Sequence, residues 1–149
     1  MLLIGLFSAL VVPVFGGFGE SDLRSAARRL AGTTRHLYNE AALSGRPYRL
    51  RFDLDRGTYG GLRQEADGRL VPVAGSGGGR TLPEGVRFRD IVVACRGRSS
   101  SGQTDALILP VGWLDETVIH LAGAGDRTLT LRLQPLSGST EVYEGYREF

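Results

Sequence analysis

The chain has 149 residues, a single cysteine and a net charge of +2, and all 18 of its basic residues are arginine. That length fits one domain, and one cysteine excludes an internal disulfide framework. The 16 acidic residues are interspersed with the arginines and no long basic run exists, so composition does not argue for a nucleic-acid-binding protein.

Residues 1–19 (MLLIGLFSALVVPVFGGFG) carry no charge. A bilayer span needs about 20 apolar residues, so this stretch is just short of a comfortable one. A secretory signal peptide would begin with basic residues and end in a small-residue cleavage site. Nothing basic precedes Leu2, and VPVFGGFG holds no A-x-A pattern. A buried core helix or strand fits poorly with 19 uncharged residues at a terminus. The segment reads as a membrane and assembly helix, built from Leu2, Leu3, Ile4, Gly5, Leu6, Phe7, Leu10, Val11, Val12, Pro13, Val14 and Phe15. Pro13 removes a backbone hydrogen bond and the glycines at 5, 16, 17 and 19 weaken the helix further. The small residues Gly5, Ser8 and Ala9 favour close packing of a neighbouring helix.

From Glu20 to Gly45 the text turns amphipathic. Leu23, Leu30 and Leu37 fall at heptad spacing, with Ala26, Ala27, Thr34 and Ala41 on the same stripe. Leu23, Ala27, Leu30, Leu37 and Ala41 are the positions expected to pack the helix on a sheet. Glu20, Arg24 and Arg28 follow at steps of four on another face. Gly45 suits the residue just past a helix end, and Pro47 prevents continuation. The chain thus divides into residues 1–19, an amphipathic helix 20–45 and a domain 46–149. Arg24, Arg28, Arg29 and Arg35 follow the apolar segment directly, where the positive-inside rule places the cytoplasm. Either the domain is cytoplasmic or a basic segment precedes Met1.

Beyond Pro47 the period becomes two. Tyr48, Leu50, Phe52 and Leu54 alternate with polar residues as in a half-buried strand, and Asp55-Arg56-Gly57 turns it into a hairpin. Arg69–Ala74 is a short strand that Pro72 pushes to a sheet edge. Gly75–Gly79 is a flexible loop, and without a Lys-Ser/Thr pair or a following helix it is not a phosphate loop. Val86–Ala94, Leu107–Leu109, Thr117–Leu121, Thr128–Leu133 and Thr140–Tyr143 are further strands, and Arg96–Thr104 is a polar loop. Strands every ten or so residues with turns between them favour antiparallel structure, so the fold class is α+β.

Candidate chemistry is sparse. His36 and His120 have no cysteine or carboxylate at metal-ligand spacing, which makes each a solvated or satisfied histidine. Asp53 and Asp55 lack the rest of a calcium loop and are assigned to turn stabilisation. Ser99, Ser100, Ser101 and Ser137 stand outside any nucleophile-elbow context. Cys95, after the apolar run Ile91–Ala94, is read as a buried free thiol. Trp113 is expected to be partly buried. No enzymatic activity, metal or cofactor is expected.

LLIGLFSALVVPVF resembles the later part of the type IV pilin N-terminal segment, in which a Gly is followed eight residues later by a Pro, as Gly5 is by Pro13. The continuation resembles the GspH/FimT branch, the minor pseudopilins of type II secretion and their type IV pilus relatives. There a helix rich in small and basic residues leads into the pattern carried here by Gly45, Pro47, Leu50 and Phe52. The closing LTLRLQPLSGSTEV is similar to that family's last hairpin, with Pro135, Ser137 and Gly138 at the turn. The family's leader, peptidase site and following glutamate do not occur in the sequence, and aligning Gly5 and Pro13 places about nine mature residues and the leader ahead of Met1. The resemblance implies a long N-terminal helix packed on an antiparallel β-sheet domain. It implies a non-enzymatic subunit of a type II secretion pseudopilus, single-pass in the bacterial inner membrane with its domain in the periplasm. Its partners would be other pseudopilins or pilins, inner-membrane lipid and secreted cargo.

Two alternatives stay open. One is a minor type IV pilus pilin that binds DNA during uptake, through Arg80, Arg96 and Arg98. The C-terminal EVYEGYREF, with three Glu and one Arg, weighs against a basic DNA-contact tail. The other is a membrane-anchored periplasmic β domain unrelated to filaments.

Overall fold

A computed structural model describes the backbone of residues 2–149 and the side chains of residues 21–149. Helix α1 runs from Leu2 to Ser44 as one element. Gly45 ends it with φ +69°, and its N–H donates to the Ala41 carbonyl at 3.0 Å. Glycine reaches this left-handed geometry without the steric cost a Cβ would bring. The membrane and assembly assignments of Leu2 to Phe15 fall on side chains outside the described residues. Among the described residues no helix is long and apolar enough to cross a membrane.

The rest of the chain forms two antiparallel sheets. The first has the order β3-β2-β1-β7-β8, with β1 Tyr48–Asp53, β2 Thr58–Gln64, β3 Leu70–Pro72, β7 Gln103–Leu109 and β8 Trp113–Leu114. The two-residue β4, Arg80–Thr81, also pairs with β2. The second has the order β11-β10-β9-β5-β6, from β5 Arg87–Val93, β6 Gly97–Ser99, β9 Thr117–Ala122, β10 Thr128–Leu133 and β11 Thr140–Glu144. Pro72 lies on the edge strand β3, where its missing N–H costs no ladder bond.

The buried stripe of α1 and the inner faces of both sheets share one core. Leu30 and Leu37 share this core with Leu50 and Phe52 from the first sheet and Ile119, Leu121 and Leu131 from the second. Phe52 and Tyr59 both approach Phe88 edge-on, at 5.8 and 6.3 Å between ring centres. These edge-to-face contacts join the two sheets.

Three local expectations need correction. Arg96–Thr104 is not a loop, because β6 and the start of β7 occupy it. Its polar residues are tolerated because β6 is a short edge strand. Gly75–Gly79 begins with a 3-10 turn, Gly75–Gly77, packed directly on the helix. A Cβ on Gly77 would come within 2.7 Å of Leu37 Cδ2, and one on Gly61 within 2.4 Å of the same atom. The run of glycines therefore serves close approach of backbone to helix. Cys95 is exposed, not buried. The buried alternation ends with β5 at Val93, and Cys95 takes φ +68° in the turn between β5 and β6, which lifts its side chain off the sheet.

Candidate assembly helix and the C-terminal strap

Leu23, Ala26, Ala27, Leu30, Thr33, Thr34, Leu37 and Ala41 recur at three- and four-residue steps and are buried along one side of α1. Thr34 satisfies its hydroxyl by donating to the Leu30 carbonyl at 2.9 Å. Leu23, Ala27, Leu30, Leu37 and Ala41 thus all lie under the β domain. Arg24, Arg28, Arg29, Gly32 and Arg35 occupy the exposed side. Arg24 reaches across to Glu144 on β11 at 2.6 Å, and Tyr38 donates to the Leu136 carbonyl in the β10–β11 turn at 2.7 Å.

The most elaborate polar cluster lies on the opposite, outer face of the second sheet. Strand β9 is buried along its whole length, with Ile119 and Leu121 in the core. His120 points the other way. Its register partner is Asp90, and a β-bulge between Phe88 and Asp90 makes that pairing possible. In a regular strand Phe88 and Asp90, two residues apart, would share the core-facing side; the bulge at Arg89 turns Asp90 outward. Asp90 Oδ1 lies 2.6 Å from His120 Nδ1 and accepts from Arg98 at 3.0 Å. Oδ2 accepts from the Tyr146 hydroxyl at 2.8 Å.

Residues 145–149 form a strap over this cluster. Tyr146 stacks on the His120 ring with centres 3.8 Å apart, and His120 Nε2 lies 2.7 Å from the Arg147 carbonyl. Each nitrogen of the imidazole therefore has an oxygen partner within hydrogen-bond distance. Thr130 donates to the Gly145 carbonyl and accepts from the Arg147 N–H. Arg98 completes the strap through Glu148 at 2.8 Å and the Tyr146 hydroxyl. Burial raises the Tyr146 hydroxyl above its ordinary pKa, and the neighbouring Asp90 carboxylate adds to the effect. His120 is thus a satisfied histidine. Its partners Asp90, Tyr146 and Arg147 are far from it in sequence, and no spacing signals them.

Asp53 and Asp55 tie loops together. Asp53 accepts from the Arg56 N–H at 3.0 Å and the Gln103 amide at 3.2 Å, and Asp55 accepts from the Gly102 N–H at 3.1 Å. The Arg56 N–H is the main cause of the lowered Asp53 pKa. Trp113 is partly exposed. Among the described residues no group of three or more His, Cys, Asp or Glu is placed to hold a metal ion. The structure does not gather Arg80, Arg96 and Arg98: Arg80 is in the first sheet, while Arg96 and Arg98 are in and beside β6 of the second. Arg98 is already engaged by two carboxylates.

No family model matches the sequence, and no curated protein matches it. Solved structures do. A crystal structure of the minor pseudopilin EpsH from the type II secretion system of Vibrio cholerae superposes with a TM-score of 0.69 at 18% identity, covering 86% of this chain and 98% of that one. A second structure of the same pseudopilin gives 0.64 at 20% identity, over 83% of this chain and 97% of that one. The solution structure of Escherichia coli GspH gives 0.59 at 20% identity, over 84% and 88%. The chain has the minor-pseudopilin fold. One long helix followed by antiparallel sheets is the α+β class expected from the strand pattern.

Proposed function

We propose that this protein is a minor, pilin-like structural subunit of a type II secretion pseudopilus. The observation that carries the proposal is the likeness of its helix and two sheets to GspH and EpsH over more than four fifths of the chain. Residues 1–19 anchor the subunit in the inner membrane and then pass into the filament core, because apolar side chains are as well accommodated against other helices as in lipid. The β domain lies in the periplasm and contacts other pilin-like subunits. The protein works by packing and carries out no catalysis. Dispersal of Arg80, Arg96 and Arg98, with Arg98 held by Asp90 and Glu148, leaves the DNA-uptake alternative without a favouring observation.

The test is photo-crosslinking in cells, with a photoreactive residue at Leu6 or Leu10 and a control on the β domain surface at Arg127. Adducts with other pilin-like subunits from the helix positions, together with loss of secretion on deletion of the gene, are expected. Adducts confined to proteins unrelated to pilins would support the filament-independent anchored domain and overturn the proposal.

A further inference from the structure

Several arginines of the β domain have a carboxylate partner: Arg51 has Asp105, Arg63 and Arg46 share Glu65, Arg69 has Asp67, and Arg132 has Glu116. Arg29 on α1 and Arg80 on β4 instead come together from two different elements. Both line the same two adjoining concavities, of about 270 and 380 Å³, on the side of the helix that faces β4 and the glycine run. No carboxylate lines either one. The first is completed by Tyr59, Leu82 and Pro83, and the second by Thr33, His36 and Ser76.

Several features keep this place open. Gly32 and Gly79 border it, and a Cβ at either would meet nothing within 4 Å, so their missing side chains leave the space unfilled. Arg29 and His36 are seven residues apart and therefore share one side of the helix. Tyr59 is buried at the floor; burial raises its hydroxyl pKa, while the charges of Arg80 and Arg29 pull in the opposite direction. Both guanidiniums thus act on one point from two elements. Like charges held together without a counter-charge repel, and an incoming anion relieves that repulsion. The nearest acidic residues on the helix are Asp22, seven residues before Arg29, and Glu40, four after His36, and neither lines the concavities.

We infer that Arg29 and Arg80, with His36 at one end, form a seat for the carboxylates of an acidic segment of a partner protein. From Ala26 to His36 the seat runs about 15 Å along the helix at 1.5 Å per residue, room for roughly four or five residues of extended chain. Arginine forks grip carboxylates with two parallel hydrogen bonds. The apolar floor of Leu82 and Pro83 beside the Tyr59 ring suits a peptide that mixes apolar and acidic side chains, and offers nothing to the sugars of a nucleic acid. This site does not depend on the pseudopilus reading, and each can fail without the other.

The experiment uses the full chain in detergent micelles and a fluorescein-labelled hexaglutamate peptide, read by fluorescence anisotropy. The variant R29Q/R80Q is expected to raise Kd by about tenfold or more, R96Q by less than about twofold, and added salt to weaken binding of the parent. R29K/R80K, which keeps the charge but not the fork, should fall between. Circular dichroism melts confirm that the variants, altered only at exposed positions, stay folded. A Kd unchanged in R29Q/R80Q would overturn the seat. Tighter binding of a labelled oligothymidylate of equal charge, lost in the same variant, would overturn the assignment to protein carboxylates in favour of nucleic acid.

Discussion

Replacing Asp90 with alanine should expose how much the C-terminal strap depends on one carboxylate. The Asp90 side chain is 8% exposed and the His120 side chain 1%, so the pair is shielded from water on all sides. In D90A, Arg98 and Tyr146 can turn to solvent, since both are more than a third exposed. His120 cannot. Its Nδ1 is left facing an apolar gap, and the charge-assisted bond of 2.6 Å is lost. Leaving a buried donor without its partner costs about 1–3 kcal/mol, with the upper end fitting a lost carboxylate, and the exposed Arg98 arm adds little. About 3 kcal/mol is therefore expected, which for a domain of about 130 residues lowers Tm by roughly 10 °C. The assay is a circular dichroism melt of the full chain in detergent, with limited proteolysis reporting release of residues 145–149. D90A/H120F should recover about half of the loss, because a phenyl ring keeps the stack on Tyr146 and strands no donor. A Tm drop below about 2 °C in D90A, with the strap still protected, would refute the reasoning.

Three other outcomes follow from contacts already described. G61A should destabilise by about 1–3 kcal/mol, measured by urea unfolding, because its Cβ falls 2.4 Å from Leu37 Cδ2 and 2.9 Å from the Gly77 carbonyl; in an L37A background the added cost should shrink. Tyr59 has a pKa raised by burial, so its contribution is fully present below the unfolded value of about 10 and is lost as pH rises through the folded pKa. Y59F should accordingly lose less stability than the parent across that alkaline range, and identical urea midpoints against pH would contradict this. Cys95, exposed in the β5–β6 turn, should react with a thiol reagent in the folded protein as fast as in urea. Protection in the folded state would restore the buried reading.

The long helix, the antiparallel strands and their turns are legible because their signals are local. Leucines at heptad spacing place one helical stripe, alternation places β1 and β10, and a glycine before Arg46-Pro47 ends the helix where it does. Strand β6, paired to β5, is not legible, since the polar text of an edge strand does not differ from that of a loop. Cys95 follows an apolar run and still leaves the core, because one turn residue in the left-handed region redirects it.

What the sequence by itself determined is the long helix and most of the strands, each written in a period or turn signal spanning a few residues. Only the tertiary structure decided which distant side chains meet. The bulge at Arg89 turns Asp90 outward toward His120, and the strap from the far end of the chain closes over both. Leu37 explains glycines at 61 and 77, and Arg29 finds Arg80 across a gap that Gly32 and Gly79 leave open. Such contacts depend on register and close packing between elements far apart in the chain, and neither leaves a mark in local periodicity.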